Sequence, residues 1–337
     1  NLLWGACLVS VSVVLGGCEP SQRIESLSGP TMGSTFNIKY VANSSTPAAD
    51  AAGVVVQGIL DEVDRQMSTY RRDSDLSRFN QLPAGSCMDM PAPVLELVEY
   101  ASELSKQTDG RFDITLKPLL NLWGFGPQSR GQAVPTAEEV AATLENVGYQ
   151  YLNVDNGRLC KERDLKLDLN SVAAGYAVDQ IAARFEELGI ASYMIEVTGE
   201  LIAKGKKPDG SSWRIAIEEP SDSGARIVQR ILEIDGWAVN TSGDYRNFFE
   251  KDGVRFSHTF DARLGAPIAH NVAAVTVLDR SALIADAMGT VLLLMGLDEG
   301  MEFAIEHKVA ALFVVRDDDT LRSFSSPMFT EYFPGGD

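Results

Sequence analysis

Strand-like segments follow one another directly through much of the second half of the chain, joined by short turns. Apolar and polar residues alternate along them, and the turns KKPDG at 206–210 and EKDG at 250–253 are typical of connections between antiparallel strands. Long helical patterns stand apart from them, at 51–70, 93–108 and 170–189. A parallel sheet would need a crossover, usually a helix, between consecutive strands. The order of segments therefore predicts an α+β fold of antiparallel sheets with long helices.

The same patterns predict further elements. Strands are expected at TMGSTFNIKYV, at the start of RFDITLKPLLNLWGFGP, at LKLDL and in a last hairpin, ALFVVRDDDTLRSFSS. A short helix is expected after the capping residue Thr136. A long helix is expected after the capping residue Ser281, followed by EGMEFAIEHK.

The apolar stretch ADAMGTVLLLMG at 285–296 carries a carboxylate and a hydroxyl four residues apart. On a helix, Asp286 and Thr290 lie on one face, one turn apart. A buried carboxylate needs a partner, because taking an unpaired charge out of water is costly. The nearest cationic residue, Arg280, is a turn and a half away, so a bound cation is the simpler partner. One carboxylate with hydroxyls and carbonyls suits Mg²⁺ or Ca²⁺ and not Zn²⁺.

Structural alternatives exist for the polar residues near this stretch and before the helix at 170–189. Thr290 could donate to the helix carbonyl at residue 286. Asp168, Asn170 and Ser171 form a cluster at a strand-to-helix junction, where Asn170 or Ser171 could serve as an N-cap and nothing else.

Histidine is scarce, and one of the three histidines has a setting that suits chemistry. His307 lies in the charged EHK end of a helix, and His270 lies in a loop beside Asn271. His258 lies between hairpin aromatics and Asp261, close in sequence to the strand that leads into the apolar helix. Because imidazole titrates near neutral pH, His258 is the candidate general base. The alternative is a core histidine with satisfied hydrogen bonds.

The first seventeen residues contain no charge and end in small residues directly before Cys18. They are fewer than the roughly 20 apolar residues that span a bilayer. We expect a signal peptide over 1–17, with its basic start and initiator Met missing, so that the natural chain begins earlier. LGGC at 15–18 resembles the bacterial lipobox, which implies lipidation of Cys18 and a lipid-anchored linker over 18–28. A chance cysteine after an ordinary signal peptide is the alternative.

The cysteines expected in the mature chain, apart from Cys18, are Cys87 and Cys160. Export to an oxidising compartment favours a disulfide between them. Two buried free thiols remain an equal alternative, because separation along the chain says nothing about distance in space.

The formal net charge of −18 excludes one large class of partner. An acidic surface repels phosphate backbones, so nucleic acid is not an expected partner.

A Walker loop, a GxGxxG fingerprint after a strand, HExxH and GxSxG are all absent from the sequence. P-loop nucleotide hydrolysis, Rossmann dinucleotide binding, HExxH zinc proteolysis and serine hydrolysis are therefore not expected.

Six motifs, in their order and spacing, resemble the FAD:protein FMN transferases of the ApbE family, which are bacterial periplasmic lipoproteins. They are TMGSTFNIKY, DGRFDITLKPLLNLWGFGP, LKLDLNSVAAGYAVDQIA, NTSGDYRNFF, FSHTFDARLGAPI and ADAMGT. LWGFGP and SGDYRN are distinctive individually. The resemblance implies one transferase domain over 29–337, with an α+β fold related to the T-fold.

The resemblance also implies an activity, Mg²⁺-dependent transfer of FMN from FAD to a Ser or Thr hydroxyl of an acceptor protein, with release of AMP. The implied metal ligands are Ser171 or its carbonyl, Asp286, a carbonyl near Gly289, and Thr290, with His258 as the base. The implied FAD contacts are Met32, Tyr70, Arg111, Phe112, Asp113, Asp168, Ala174 and Phe260. Ala174 occupies a position where many relatives carry a charged residue, and Thr198-Gly199 replaces the usual double glycine.

The family implies acceptors among the subunits of sodium-translocating NADH:quinone oxidoreductase or of Rnf-type complexes. It implies a periplasmic protein with a lipid anchor in the inner membrane. Two other functions fit the same residues. One is a Mg²⁺-dependent FAD diphosphatase that releases FMN and AMP, and the other is a flavin-binding lipoprotein without enzymatic activity.

Overall fold

The computed structural model describes residues 22–127, 134–221, 227–245, 247–318 and 320–334. Its helices are α1 (Ala49–Met67), α2 (Asp75–Gln81), α3 (Ala92–Gln107), α4 (Lys117–Trp123), α5 (Ala137–Leu144), α6 (Ala173–Glu187), α7 (Ala282–Glu306) and α8 (Pro327–Tyr332). The signal peptide expected over 1–17 and Cys18 lie outside the described residues. Within the described ranges, no helix combines the length and the hydropathy that a bilayer crossing requires.

One antiparallel sheet of eight strands organises the molecule, in the order β1-β2-β6-β7-β10-β15-β16-β17. Its strands are β1 (Arg23–Thr31), β2 (Ser34–Ala42), β6 (Tyr193–Val197), β7 (Glu200–Lys204), β10 (Trp237–Gly243), β15 (Val272–Asp279), β16 (Ala310–Asp317) and β17 (Thr320–Ser325). The predicted α+β fold of antiparallel sheets and long helices is confirmed.

Four small antiparallel sheets surround the large one. They are formed by β3 (Cys87–Asp89), β4 (Leu152–Asp155) and β5 (Arg158–Lys161), by β8 (Trp213–Glu219) and β9 (Ile227–Ile234), by β11 (Phe248–Lys251) and β12 (Val254–Ser257), and by β13 (Phe260–Asp261) and β14 (Ala266–Pro267). The EKDG turn joins β11 to β12, as the sequence predicts.

Both faces of the large sheet are covered. Helices α1, α3, α6 and α7 pack on one face and form the main core, whereas the β8–β9 hairpin and α8 pack on the other face. Every residue from Val272 to Leu278 is therefore buried. A strand with one face in water would instead alternate buried and exposed residues. Each fully buried large apolar side chain contributes about 1.5–3 kcal/mol to folding.

Two predicted helix caps are present. Thr136 Oγ1 accepts from the Glu139 N–H at 3.2 Å, and the Glu139 carboxylate accepts from the Thr136 N–H at 2.8 Å, which completes a capping box on α5. Ser281 Oγ accepts from the Ile284 N–H at 3.3 Å at the start of α7. The expected segment EGMEFAIEHK continues α7 beyond a break at Gly296, whose φ is 76°.

Two predictions of strands are wrong, and some short helices are not predicted. The strand expected in RFDITLKPLL is absent, because the Asp113 side chain accepts from the Thr115 N–H at 2.8 Å and closes a turn, after which α4 begins at Lys117 with Pro118 in its first turn. LKLDL forms no strand beyond a single bridge between Lys166 and Leu116. Helices α2 and α8 were not expected from the sequence, being short and therefore weakly periodic.

The prediction of a linker over 18–28 is wrong from Arg23 onward, within the described residues. These residues form the first part of β1, which pairs with β2 along its whole length, from Arg23 opposite Ala42 to Thr31 opposite Ser34. The residues of β1 are mostly polar, because β1 is an edge strand that buries only part of one face. The sequence therefore offers little apolar alternation from which this strand could be predicted.

The structure contains a disulfide between Cys87 and Cys160. The two residues are directly opposite each other in the register of β3 and β5, with 4.0 Å between their Cα atoms. The bond joins strands that lie far apart in the chain, and this resolves the choice that the sequence leaves open.

Candidate active site

One cavity of about 350 Å³ brings together most of the residues that the sequence singles out. It lies between the first half of α7, the end of β10, the segment before α6, and the β11–β12 hairpin. Nine of the predicted site residues line it: Tyr70, Phe112, Asp113, Asp168, Ser171, His258, Phe260, Asp286 and Thr290. Segments that are more than 200 residues apart in the chain therefore converge on one site.

Asp286 is buried in this cavity wall, with 4% of its surface exposed. Its Oδ1 accepts from Asn240 Nδ2 at 3.0 Å, and its Oδ2 accepts from the Gly175 N–H at 3.2 Å. Burial raises the pKa of Asp286 well above its ordinary value, and the nearby Glu200 carboxylate raises it further. Arg280 does not pair with it, because that side chain donates to the Gly236 carbonyl at 2.6 Å. Within the part of the chain that the structure describes, the Asp286 carboxyl group therefore has neutral donors and no cationic side chain paired with it.

The hydroxyls expected beside Asp286 line the same cavity. Among the described residues, neither the Ser171 hydroxyl nor the Thr290 hydroxyl has a hydrogen-bond partner, so the alternative of a bond from Thr290 to the carbonyl at 286 is not seen. Helix α6 begins after Val172 without a side-chain cap, so Asn170 and Ser171 do not act as N-caps. Gly289 is packed against β10, where a Cβ would lie 2.8 Å from Ser242 Oγ.

His258 follows β12 and lines the cavity while its side chain is open to solvent. Its Nδ1 lies 3.1 Å from the Asn247 carbonyl oxygen, which also accepts from the His258 backbone N–H. A carbonyl can only accept, so Nδ1 carries the proton and Nε2 has the free lone pair in the neutral ring. The surrounding protein lowers the pKa of His258, and the bond to Asn247 and the charge of Asp244 oppose that shift. The imidazole is thus neutral and available as a base at neutral pH.

Two predicted flavin contacts are carboxylates engaged with the protein itself. Asp113 accepts from the Thr115 hydroxyl at 2.7 Å and from the Tyr149 N–H at 2.7 Å. Asp168 accepts from the Asn170 N–H at 2.9 Å and lies near the buried Lys117. Burial raises the pKa of both carboxyls. These residues shape the loops of the cavity, and they also present surface to it.

A second cavity, of about 630 Å³, adjoins the first and shares Tyr70 and Asn170 with it. Met32 and Ala174, two of the predicted contacts that are absent from the first cavity wall, line the second. Met32 stands in the two-residue turn between β1 and β2 with a φ of 44°, and Gly33 follows with a φ of 75°. Positive φ at both positions is the signature of a type I′ hairpin turn, which holds the methionine at the cavity edge.

Arg111 lies outside both cavities. Its guanidinium pairs with Glu299 and lies 3.8 Å from the Asp261 carboxylate, so it joins the second half of α7 to the loop after Phe260. The other two histidines are also elsewhere. His307 stacks on Phe303 with 4.0 Å between ring centroids. His270 Nε2 donates to the Leu293 carbonyl at 2.8 Å, beside the break in α7.

A sequence model of the ApbE family matches residues 32–313. The chain belongs to the ApbE family. The FAD:protein FMN transferase of Vibrio cholerae is 42% identical over 331 residues, which cover 98% of this chain and 98% of that protein. The FAD:protein FMN transferase of Haemophilus influenzae is 36% identical, and the match covers 98% of this chain and 97% of that protein.

A solved ApbE structure has the same fold. The flavinyl transferase ApbE of Pseudomonas stutzeri, in its apo form, is 52% identical and superposes with a TM-score of 0.88, covering 94% of this chain and 98% of that one. The resemblance read from the six motifs is therefore confirmed at the level of the family.

Sequence reasoning missed several polar residues that line the cavity of this ApbE protein, among them Glu200, Asn240, Thr241 and Asn247. Asn240 holds the Asp286 carboxylate, and Asn247 holds the imidazole. The NTSG motif contains Asn240, but nothing in the sequence places Asn240 against α7. That contact arises from the pairing of β10 between β7 and β15.

The donors in the cavity fit a hard cation. Within the described ranges, no three His, Cys, Asp or Glu side chains cluster as a transition-metal site would require. Instead, Asp286 offers a carboxyl group that pairs with no cationic side chain among the described residues, and Ser171 and Thr290 line the same cavity with hydroxyl groups. This donor set suits Mg²⁺, which prefers oxygen ligands and keeps several waters or phosphate oxygens in its coordination sphere.

Proposed function

We propose that this protein transfers FMN from FAD to a Ser or Thr hydroxyl of an acceptor protein, with Mg²⁺ as cofactor and AMP as the second product. The observation that carries the proposal is the convergence of His258, Asp286 and Thr290 on one cavity. Relatives that match the chain over nearly its full length are FAD:protein FMN transferases.

Two adjoining cavities suit the two halves of FAD. The first has a wall of apolar side chains against which a flat ring can pack, formed by Phe112, Leu116, Leu120, Phe125 and Phe260. The second is lined by Met32 and Ala174 and meets the first at Tyr70 and Asn170. We propose that FAD spans both cavities, with its pyrophosphate near the shared boundary and the Asp286 face of α7.

Asp286, Thr290 and Ser171 would hold the cation, together with backbone carbonyls near Ser171 and Gly289. When bound, Mg²⁺ would neutralise pyrophosphate charge and stabilise the AMP leaving group. Neutralisation is essential here, because the chain has a formal net charge of −18 and so repels an anionic dinucleotide.

His258 supplies the base. Its Nδ1–H is held by the Asn247 carbonyl, so Nε2 can take the proton of the acceptor hydroxyl. The hydroxyl oxygen then forms a bond to the phosphorus of the FMN half, and the bond from that phosphorus to the bridging oxygen of AMP breaks. The proton stays on His258, and the electron pair leaves with AMP.

A second activity is favoured by one observation, the solvent exposure of His258. Water could take the place of the acceptor hydroxyl and give FMN and AMP by hydrolysis. Incubation with FAD and Mg²⁺, with and without an acceptor protein, separates the two activities. Transfer predicts covalent FMN on a hydroxyl residue by mass spectrometry and AMP release that depends on the acceptor. Equal AMP release without acceptor would overturn the transferase proposal, and FAD binding without any AMP would indicate a flavin-binding protein.

We further propose a periplasmic location with a lipid on Cys18. Acceptors among the subunits of sodium-translocating NADH:quinone oxidoreductase or Rnf-type complexes would face the same compartment. The disulfide between Cys87 and Cys160 supports export, since such bonds persist in oxidising compartments. Metabolic labelling with a fatty-acid analogue, compared with the Cys18→Ala variant, tests the anchor.

A further inference from the structure

Asp179 joins α6 to the beginning of α7 through three hydrogen bonds. One carboxylate oxygen accepts from the Ser281 hydroxyl at 2.6 Å and from the Leu283 N–H at 3.1 Å, and the other accepts from the Ala282 N–H at 2.8 Å. Two of these donors are backbone groups that no residue within α7 can satisfy. The N-terminus of α7 is therefore capped by a side chain of another helix as well as by its own Ser281.

Gly175 makes a second contact between the same two helices, one turn before Asp179 on α6. A Cβ at Gly175 would lie 2.4 Å from the Ala282 carbonyl oxygen, so the backbones touch here and only glycine fits. The Gly175 N–H also donates to Asp286 at 3.2 Å. The hydrogen bond between Asp179 and Ala282 and the one between Gly175 and Asp286 are one turn apart on each helix, and together they fix the position of α7 along α6.

This register determines where the oxygen donors of the cavity lie. Ser171 stands just before α6, whereas Asp286 and Thr290 stand on α7, and all three line the cavity. A shift of α7 along α6 would change the distances between Ser171 and the two α7 residues. We infer that Asp179 is a positioning residue for the cation site, acting through the N-terminus of α7. This inference rests on the proposed function, because it presupposes that these oxygens bind Mg²⁺.

The experiment compares Asp179→Ala and Asp179→Asn with the unchanged protein. Mg²⁺ binding is measured by calorimetry and Mn²⁺ binding by electron paramagnetic resonance, both without FAD or acceptor. We expect metal affinity to fall by about 10-fold or more for Asp179→Ala, as for other groups that orient metal ligands. Asp179→Asn should lose less, because its amide keeps one of the two acceptor oxygens.

A kinetic measurement separates positioning from a general loss of stability. The Mg²⁺ concentration for half-maximal transfer should rise in Asp179→Ala, while kcat at saturating Mg²⁺ stays within about two-fold of the unchanged protein. A merely structural role would lower the folded fraction and leave the Mg²⁺ requirement of the folded molecules unchanged. Thr136→Ala is the matched control, since it removes a helix cap from the solvent-facing α5 and should leave metal affinity unchanged.

The variant Ser281→Ala keeps the inference testable if Asp179→Ala does not fold. The Ser281 hydroxyl and Asp179 share one hydrogen bond, so their effects on metal affinity should be less than additive in the double variant with Asp179→Asn. Unchanged metal affinity in folded Asp179→Ala, or in folded Asp179→Asn should the former not fold, would overturn the inference alone. Failure of the unchanged protein to bind Mg²⁺ would instead overturn the proposed cation site and, with it, the inference.

Discussion

At the scale of single residues, the site depends on two groups whose ionisation is set by their surroundings. The protein around His258 favours the neutral ring, and burial of Asp286 favours the neutral carboxyl. The first effect serves proton transfer directly. The second would be reversed by a cation bound as proposed, because the charge of the cation would favour the carboxylate, whose hydrogen bonds among the described residues come from two neutral donors.

Replacing His258 with Gln should lower kcat for FMN transfer by about 10²–10⁴-fold, the usual contribution of a general base, and leave FAD affinity nearly unchanged. The pKa of His258 lies below its ordinary value of 6.5, so kcat/KM of the unchanged protein should be full above pH 6.5. It should fall as pH decreases through that pKa, because the protonated ring cannot take a proton. Transfer rates from pH 5 to 8 would check this, and an acid limb that persists in His258→Gln would assign it to another group.

Replacing Asp286 with Asn should abolish Mg²⁺ binding and leave the fold intact. The loss of affinity should exceed the 10–100-fold that follows changes to groups outside the ligands themselves. Without metal, the variant should unfold at a temperature close to that of the unchanged protein, since burial already favours the neutral form of the Asp286 carboxyl and the amide is neutral as well. Calorimetry and thermal unfolding would measure both effects. Asp209→Asn, at an exposed turn, is the matched control, and undiminished Mg²⁺ affinity in Asp286→Asn would contradict the assignment.

At the scale of elements, the sequence predicts helices well where a periodic pattern runs over many residues. It fails where a few local hydrogen bonds determine the structure. The helix patterns at 51–70 and 93–108 match α1 and α3 to within three residues at each end. The strand expected near Asp113 fails because side-chain hydrogen bonds close a turn there. The sequence does not predict the first part of β1, because this edge strand is held by backbone pairing to β2 and carries few apolar residues.

The site follows the same rule. Asp286 and His258 stand out as polar groups in apolar surroundings, and residue chemistry alone is enough to select them. Asn240 and Glu200 carry no such signal, because their importance comes from neighbouring positions on β10 and β7 that face α7. The six motifs predict the flavin contacts, and Arg111, which lies outside both cavities, shows that a motif match does not fix where a side chain points.

Removing the disulfide should affect stability more than function. The bond closes a loop of 73 residues, and chain-entropy arguments for loops of this size give about 4 kcal/mol. The double variant Cys87→Ser, Cys160→Ser should therefore lose up to about this much free energy of unfolding. FAD and Mg²⁺ affinities should be retained, because β3 and β5 do not line the cavity. Urea unfolding with and without a reducing agent would measure it, and equal stability of the oxidised and reduced protein would contradict the prediction.

At the scale of the whole molecule, a formal net charge of −18 opposes the approach of an anionic dinucleotide. Without Mg²⁺, the association rate of FAD should rise as salt increases from about 20 to 200 mM, because the screening length falls to about 10 Å near 0.1 M. Stopped-flow flavin fluorescence would measure the rate, with sucrose as an uncharged control for viscosity. A rate that falls with salt would show that positive potential at the cavity outweighs the surface charge.

The early start of β1 limits how far the enzyme could stand from a membrane. The strand begins at Arg23, five residues after Cys18, and an extended chain covers at most about 3.3–3.6 Å per residue. A lipid on Cys18 would thus keep the edge of the large sheet within about 18 Å of its attachment point. The enzyme would then reach an acceptor hydroxyl that lies close to the bilayer surface. A hydroxyl on a domain that extends far from the bilayer would be out of reach unless that domain moved towards the membrane.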